Sequence, residues 1–165
     1  PIVYKDNFET LEKIVIGSKN AKNTITLFLS PTCPHCHTAY KNAILLVKKY
    51  EEQLQLAICF NVNINNANNP NLIVYKAILL LYNNKNEDYK LALEDWHEKN
   101  LPLENWKSKW LFGDNFSREI TQIEKQYQWC LDADLKHTPI KIFNGYMMPD
   151  IYEINELVYF FKELP

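Results

Sequence analysis

Glycine is scarce in this chain: three residues in 165, against nineteen asparagines. Turns and helix ends that ordinarily use glycine must fall to asparagine, which tolerates a left-handed backbone and bonds its own main chain. The asparagine-rich stretch 61–69 therefore reads as an ordered connection, bounded by a strand and a helix-starting Pro70, and not as low complexity. Cysteine is also sparse. Four thiols, at positions 33, 36, 59 and 130, are too few and too unevenly spaced for a disulfide-stapled scaffold. No apolar run reaches the roughly 18–20 residues that span a bilayer; Ile78 to Tyr82 is a short piece of helix. The formal net charge is −2 and no basic cluster appears, which leaves no footprint for a nucleic acid. No signal peptide opens the chain, whose first residue is Pro1, so it reads as a processed or excised segment and its compartment stays open.

What is present suits a folded domain: 47% hydrophobic and 23% charged residues, in a chain long enough for a sizeable core. Phe8, Leu11, Ile14 and Val15 recur at helical spacing, so 7–16 reads as an amphipathic helix capped by Asp6 or Asn7. Residues 24–30 are nearly continuously apolar, as in a strand covered on both faces. A helix to about Tyr50 and a strand from Leu54 to Val62 follow, which makes a βαβ unit with parallel strands. Residues 70–133 read as helical throughout: Leu72 to Tyr82, Asp88 to Lys99, Pro102 to Leu111, and Phe116 to Leu131 with Ile120, Ile123, Tyr127 and Cys130 inward. Pro139 to Phe143 alternates as a half-buried strand, Asn144-Gly145 is a two-residue hairpin signal, and Tyr146 to Met148 returns. Ile151 to Leu164 closes the chain as a helix bearing Ile154, Leu157, Val158 and Phe161. The expectation is one α/β domain over 1–165 with a helical insertion at about 70–133.

The chemistry concentrates in Cys33-Pro34-His35-Cys36. Two thiols separated by two residues at a strand-to-helix junction can close a small reversible disulfide, and the helix N-terminus favours a thiolate at Cys33. Pro34 fits the first helical turn, where no N–H is needed. His35, when protonated, adds positive charge beside the Cys33 sulfur. Other chemistries share these letters. With His37 the run fits the attachment pattern of a c-type haem, with Met147 or Met148 as axial partner, but the flanking strands argue against a small helical haem domain. Zinc held by Cys33, Cys36, His35 and His37 would need better-separated ligands. His37 reads as a helix-face residue near the site, His97 as a solvent-exposed residue of a charged helix, and His137 as a neighbour of Thr138-Pro139. Cys59 and Cys130 read as buried small hydrophobes, with a structural bridge between them as the alternative. The tryptophans at 96, 106, 110 and 129 read as the core of the insertion, and Asn115-Phe116-Ser117 as a chance match to a glycosylation acceptor.

This order of elements, with Cys33-Pro34-His35-Cys36 and Thr138-Pro139 in register, resembles the thioredoxin superfamily. The fold class implied is α/β: a thioredoxin fold with a helical insertion between the βαβ half and the C-terminal β-hairpin and helix. The insertion and the Pro34-His35 dipeptide resemble the DsbA type of disulfide oxidoreductase. Leu29 to Cys36, the Trp-rich insertion, and Thr138 to Gly145 with Pro149 are also similar to thioredoxin-like domains of Bacteroidetes, some fused to a vitamin K epoxide reductase-like membrane domain. The resemblance implies a thiol–disulfide oxidoreductase outside the cytoplasm, periplasmic and in some relatives tethered to a membrane protein. It makes Cys33 the nucleophile, Cys36 the resolving thiol and His35 the electrostatic tuner, with Pro34, Thr138 and a cis Pro139 on the substrate-binding edge.

The same resemblance implies no metal and no organic cofactor, since the Cys33–Cys36 disulfide itself carries two electrons. Its partners are cysteine-containing protein substrates and a membrane redox partner, quinone-linked or vitamin K epoxide reductase-like; the chain is expected to be a monomer. His35 tilts the direction towards oxidation, because stabilising the reduced form makes a disulfide more oxidising. The rivals are a reductase or isomerase and a non-catalytic binding or chaperone module. One departure stands out. Many relatives carry a buried carboxylate in the strand before the motif, to take a proton from the second cysteine. Residues 24–30 hold Thr26 and Ser30 but no acid.

Overall fold

The computed structural model describes residues 7–149 and 153–157. Strands β1 (Ile14–Ile16), β2 (Asn23–Leu29), β3 (Leu54–Phe60), β4 (Ile140–Phe143) and β5 (Tyr146–Met147) form one sheet in the order β1-β3-β2-β4-β5. β2 and β3 run parallel, joined through α1 (Pro34–Lys49), and the other pairings are antiparallel. β2 and β3 sit at the centre and are buried almost throughout, as their nearly continuous apolar runs require. Between β3 and β4 come α2 (Leu72–Asn83), α3 (Tyr89–His97), α4 (Leu103–Trp110) and α5 (Ser117–Asp132). Among the described residues no helix is long and apolar enough to cross a membrane.

The sheet divides the core. Leu27, Leu29, Ile58 and Phe60 face a large cluster shared with α1 and the insertion helices. Phe28, Cys59, Ile140 and Ile142 face a smaller one with Trp129 and Cys130 of α5. Alternation along each strand sends successive side chains to opposite clusters. All four tryptophans are buried, Trp106 completely. α5 also buries Glu119, Gln122 and Gln126, leaving Ile120 and Tyr127 half-buried and not in the core proper. The polar stripe has work to do: the Phe60 N–H donates to Gln126 Oε1 at 2.8 Å, while Gln126 Nε2 donates to the Glu12 carbonyl at 2.8 Å. Buried backbone groups must find such partners.

The helix expected over 7–16 does not form. Residues 7–10 make a turn, and Ile14–Ile16 pairs antiparallel with β3, Ile14 opposite Ile58 and Ile16 opposite Leu56. Three consecutive β-branched residues favour a strand over a helix, and the exposed edge of β3 supplies the partner. Phe8 and Leu11 pack instead on the smaller cluster, with the Phe8 ring 5.2 Å from that of Trp129. At the other end, Ile154–Leu157 is a single 3-10 turn with Ile154 and Leu157 buried; Val158, Phe161 and the Asp6 cap lie outside the described residues.

Asparagine does replace glycine. Asn7, Asn100 and Asn144 adopt φ of 68°, 52° and 51°. Asn63, Asn66 and Asn69 each accept the backbone N–H two residues on at 3.1 Å, making three successive Asx turns. Asn144 also ties the hairpin down, accepting the Thr24 N–H at 2.8 Å and donating to Asn23 Oδ1 at 2.9 Å.

Candidate active site

β2 ends at Leu29 and α1 begins at Pro34, so the four residues between them must turn the chain at the end of the central strand. Cys33 is the N-cap of α1, and its carbonyl accepts the first helical N–H groups, from Cys36 at 3.0 Å and His37 at 3.3 Å. Pro34 has no N–H, and with those of Cys36 and His37 engaged, His35 carries the remaining N–H of the first turn. Cys33 is half-buried, Pro34 and His35 are exposed, and Cys36 is fully buried one turn further in. The two sulfurs thus differ in access: only the first can meet a macromolecular thiol.

The loop before β4 completes the site. Thr138–Pro139 is a cis peptide bond, and the Thr138 carbonyl accepts from Cys33 Sγ at 3.6 Å. Ser30 joins the two halves. Its N–H donates to Cys36 Sγ at 3.4 Å, and its hydroxyl lies 3.8 Å from that sulfur and 2.9 Å from Thr138 Oγ1. Burial pushes the Cys36 thiol up to about 11, even though the Ser30 N–H and the Thr138 hydroxyl favour the thiolate. Asn61, just past β3, holds the approach to Thr138 by donating to the carbonyls of Leu135 at 3.2 Å and His137 at 3.1 Å. A groove of about 460 Å³ runs beside the motif, lined by His35, Thr38, His137, Thr138, Pro139 and Lys141, among others. His137 therefore borders the site.

The insertion reaches the site through α3. Trp96 Nε1 donates to the Pro31 carbonyl at 2.8 Å, fixing the loop that leads into Cys33. The next residue overturns an expectation. His97 is 1% exposed, not on a solvated face. Its Nδ1 lies 2.9 Å from His37 Nδ1 and its Nε2 lies 3.1 Å from the Tyr75 hydroxyl. Tyr75 is itself fully buried and stacked on Phe60 with ring centroids 3.8 Å apart. Burial, reinforced by His37, lowers His97 to about 3, and burial lowers His37 as well. The spacing did carry a signal: Leu93 and His97 are four apart, beside Ala92 and Trp96, so all four share the inward stripe of α3. The charged residues around His97 masked it.

His37 thus turns to His97, while His35 is exposed in the groove. Among the described residues no three His, Cys, Asp or Glu side chains converge on a metal-binding geometry. Cys59 and Cys130 are free thiols buried in the smaller cluster, as are Cys33 and Cys36 free at the site.

Residues 9–148 match the family model described as Thioredoxin. No curated protein matches the sequence significantly. Among solved structures, the fold is similar to the catalytic domain of Proteus mirabilis ScsC, with a TM-score of 0.79 at 14% identity, covering 96% of this chain and 94% of that one. A periplasmic thioredoxin-like protein from Salmonella enterica serovar Typhimurium gives 0.79 at 16% identity, covering 99% and 98%. The thiol–disulfide exchange protein α-DsbA2 from Wolbachia pipientis gives 0.70 at 17%, covering 98% and 92%. At these identities the likeness is one of fold.

Proposed function

The chain belongs to the thioredoxin family, and from that premise we propose that it is a thiol–disulfide oxidoreductase that oxidises cysteine pairs of exported proteins through Cys33. The observation that carries this reading is the asymmetry of the two sulfurs: Cys33 half-open at a helix N-terminus and against the Thr138 carbonyl, Cys36 sealed behind it. In the oxidised protein a substrate thiolate attacks Cys33 Sγ, the Cys33–Cys36 bond breaks, and Cys36 leaves as a thiolate that takes up a proton. A second substrate thiolate then attacks the substrate sulfur of the mixed disulfide and releases the Cys33 thiolate. Two electrons pass from substrate to protein, and no cofactor is needed.

The groove beside the motif suits an extended segment of substrate: His35 and Thr38 form one wall, with Pro34 exposed next to it, and the backbone at Thr138 and Pro139 offers hydrogen bonds on the other. The sheet and its helical insertion serve this site as one unit, since Trp96 anchors the Pro31 loop. The compartment that fits the reading is the periplasm or its equivalent, with a quinone-linked or vitamin K epoxide reductase-like membrane partner restoring the disulfide. Equilibration with glutathione redox buffers tests the direction. An oxidant equilibrates near the potential of DsbA, about −120 mV, and a reductase near that of thioredoxin, about −270 mV. A value at the thioredoxin end assigns the chain to reduction, one of about −180 mV to isomerisation, and failure to exchange at all reduces it to a binding module.

A further inference from the structure

The missing carboxylate of β2 leaves the Cys36 proton without an acceptor, and the strongest unassigned feature of the molecule lies where one is needed. Three polar side chains, Tyr75, His97 and His37, form a continuous hydrogen-bonded chain inside the apolar core beside the motif, with links of 3.1 and 2.9 Å. Tyr75 and Cys36 share one buried cluster. Burial is the main influence against ionisation of Tyr75, and thiolates at Cys36 and Cys33 add to it, which puts the phenol within electrostatic reach of the dithiol. At its far end the chain reaches His37, which is only half-buried. A polar string that shares a buried cluster with a reacting thiol and ends at a half-buried residue costs stability unless each member is satisfied; this one is hydrogen-bonded from Tyr75 through His97 to His37.

We propose that Tyr75, His97 and His37 are the proton path of the dithiol, carrying the Cys36 proton to solvent when Cys36 resolves a mixed disulfide and returning it in the reverse step. This rests on the oxidoreductase reading above. The geometry fixes the order of transfers. The Nδ1–Nδ1 contact holds one proton between two ring nitrogens, so the two imidazoles must take opposite roles. No hydrogen bond joins Tyr75 to Cys36, so the Cys36 proton reaches the Tyr75 oxygen through an intervening water as the phenolic proton moves to His97 Nε2. His97 Nδ1–H moves to His37 Nδ1, and His37 Nε2–H leaves. One proton enters, one leaves, and no imidazolium forms in between. That matters at a buried site, where a charged His97 would be strongly disfavoured.

The groups facing His97 allow this. From α1 come His37 and the Tyr40 ring, centroids 5.3 Å away, and from α2 comes Tyr75. Glu94 of α3 and Glu98 at its C-cap act on Tyr40, and Asp95 is engaged elsewhere by Lys109 at 2.7 Å and Trp110 Nε1 at 2.9 Å. None donates to or accepts from the His97 ring nitrogens in place of His37 and Tyr75. These residues position and relay; the reacting sulfurs remain those of Cys33 and Cys36.

The test is single-turnover kinetics of the reduced full chain with oxidised glutathione, which separates bimolecular attack by Cys33 from unimolecular resolution by Cys36. Tyr75→Phe keeps the ring that stacks on Phe60 and removes only the hydroxyl; His97→Gln keeps a polar side chain that cannot tautomerise. Both are expected to slow the resolution phase about tenfold near neutral pH, with the deficit closing in alkali, and to leave the attack phase within about twofold. Equal slowing of both phases at every pH marks a structural effect and overturns the proposal. So does an unchanged resolution phase in Tyr75→Phe, or a slowing confined to Ser30→Ala, which would route the proton through Ser30 and Thr138. Absence of an attack phase in the unsubstituted protein overturns the oxidoreductase reading as well, a result no comparison among variants can mimic.

Discussion

The chain holds two pairs of thiols that chemistry treats in opposite ways. Cys33 and Cys36 lie at the C-terminal end of β2 among N–H groups and hydroxyls; Cys59 and Cys130 lie against the other face of the sheet, among Phe28, Trp129, Ile140 and Ile142. Burial is the largest influence on Cys36, Cys59 and Cys130 alike, raising all three. At Cys36 hydrogen bonds from Ser30 and Thr138 oppose it, leaving the thiol at about 11. At Cys59 only the Lys13 ammonium opposes it, and Cys130, with nothing to oppose burial, is raised to about 12. Thus residue type alone does not set a thiol's environment. On the proposed reading, a helix terminus, a set of donors and a path for the proton make one pair a redox centre.

The comparison breaks most sharply at Cys33. Cys33→Ser is expected to cut exchange with a peptide dithiol by about a thousandfold or more, and iodoacetamide followed by mass spectrometry should label Cys33 alone in the native reduced protein. Labelling of Cys59 or Cys130 without unfolding would erase the distinction. Cys36→Ser should leave attack intact and abolish resolution, so the protein accumulates as a mixed disulfide on a non-reducing gel.

Acid probes the site side of the comparison without mutation. The unfolded chain protonates His97 below about 6.5, and the folded chain does not until about 3. The unfolded state therefore binds more protons across that window, so stability falls as pH drops through it. The slope is at most about 1.4 kcal/mol per pH unit, measurable by urea titration, and His97→Gln should flatten it. Cys59→Ala tests the other face: a loss of about 1–2 kcal/mol from the small cavity, seen in the same titration, with exchange rates unchanged. The gentlest change is His35→Ala, expected to shift the glutathione equilibrium about three- to tenfold towards the disulfide form, at roughly 30 mV per tenfold.

Much of this was legible in the sequence because it is written in local pattern. The nearly continuous apolar runs at 24–30 and 54–62, the motif between strand and helix, and Asn144-Gly145 gave the central strands, α1 and the hairpin within a residue or two. The failures were non-local. Ile14 to Ile16 satisfies helical and strand periods over so short a span, and only the vacant edge of β3 decides between them. His97 followed the inward stripe of α3, yet polar neighbours made it look solvated. Asn61, in a run of asparagines, gave no sign that it would grip the loop before Thr138, 77 residues downstream.

The insertion enters where β3 ends, with Phe60 level with Leu29, and leaves where β4 begins, with Ile140 level with Phe28. Both seams lie at the dithiol end of the sheet, and the opposite end carries Gly17, Asn23, the turn from Tyr50 to Gln53 and the hairpin tip. The stretch between Asn61 and Lys136 meets the sheet at the dithiol end, where Trp96 holds the Pro31 carbonyl and Gln126 the Phe60 N–H. The groove itself takes its walls from α1, the loop before β4 and the residues beyond it. A change in the insertion is therefore transmitted to the sulfurs through those two side chains, while the walls of the groove are coded elsewhere.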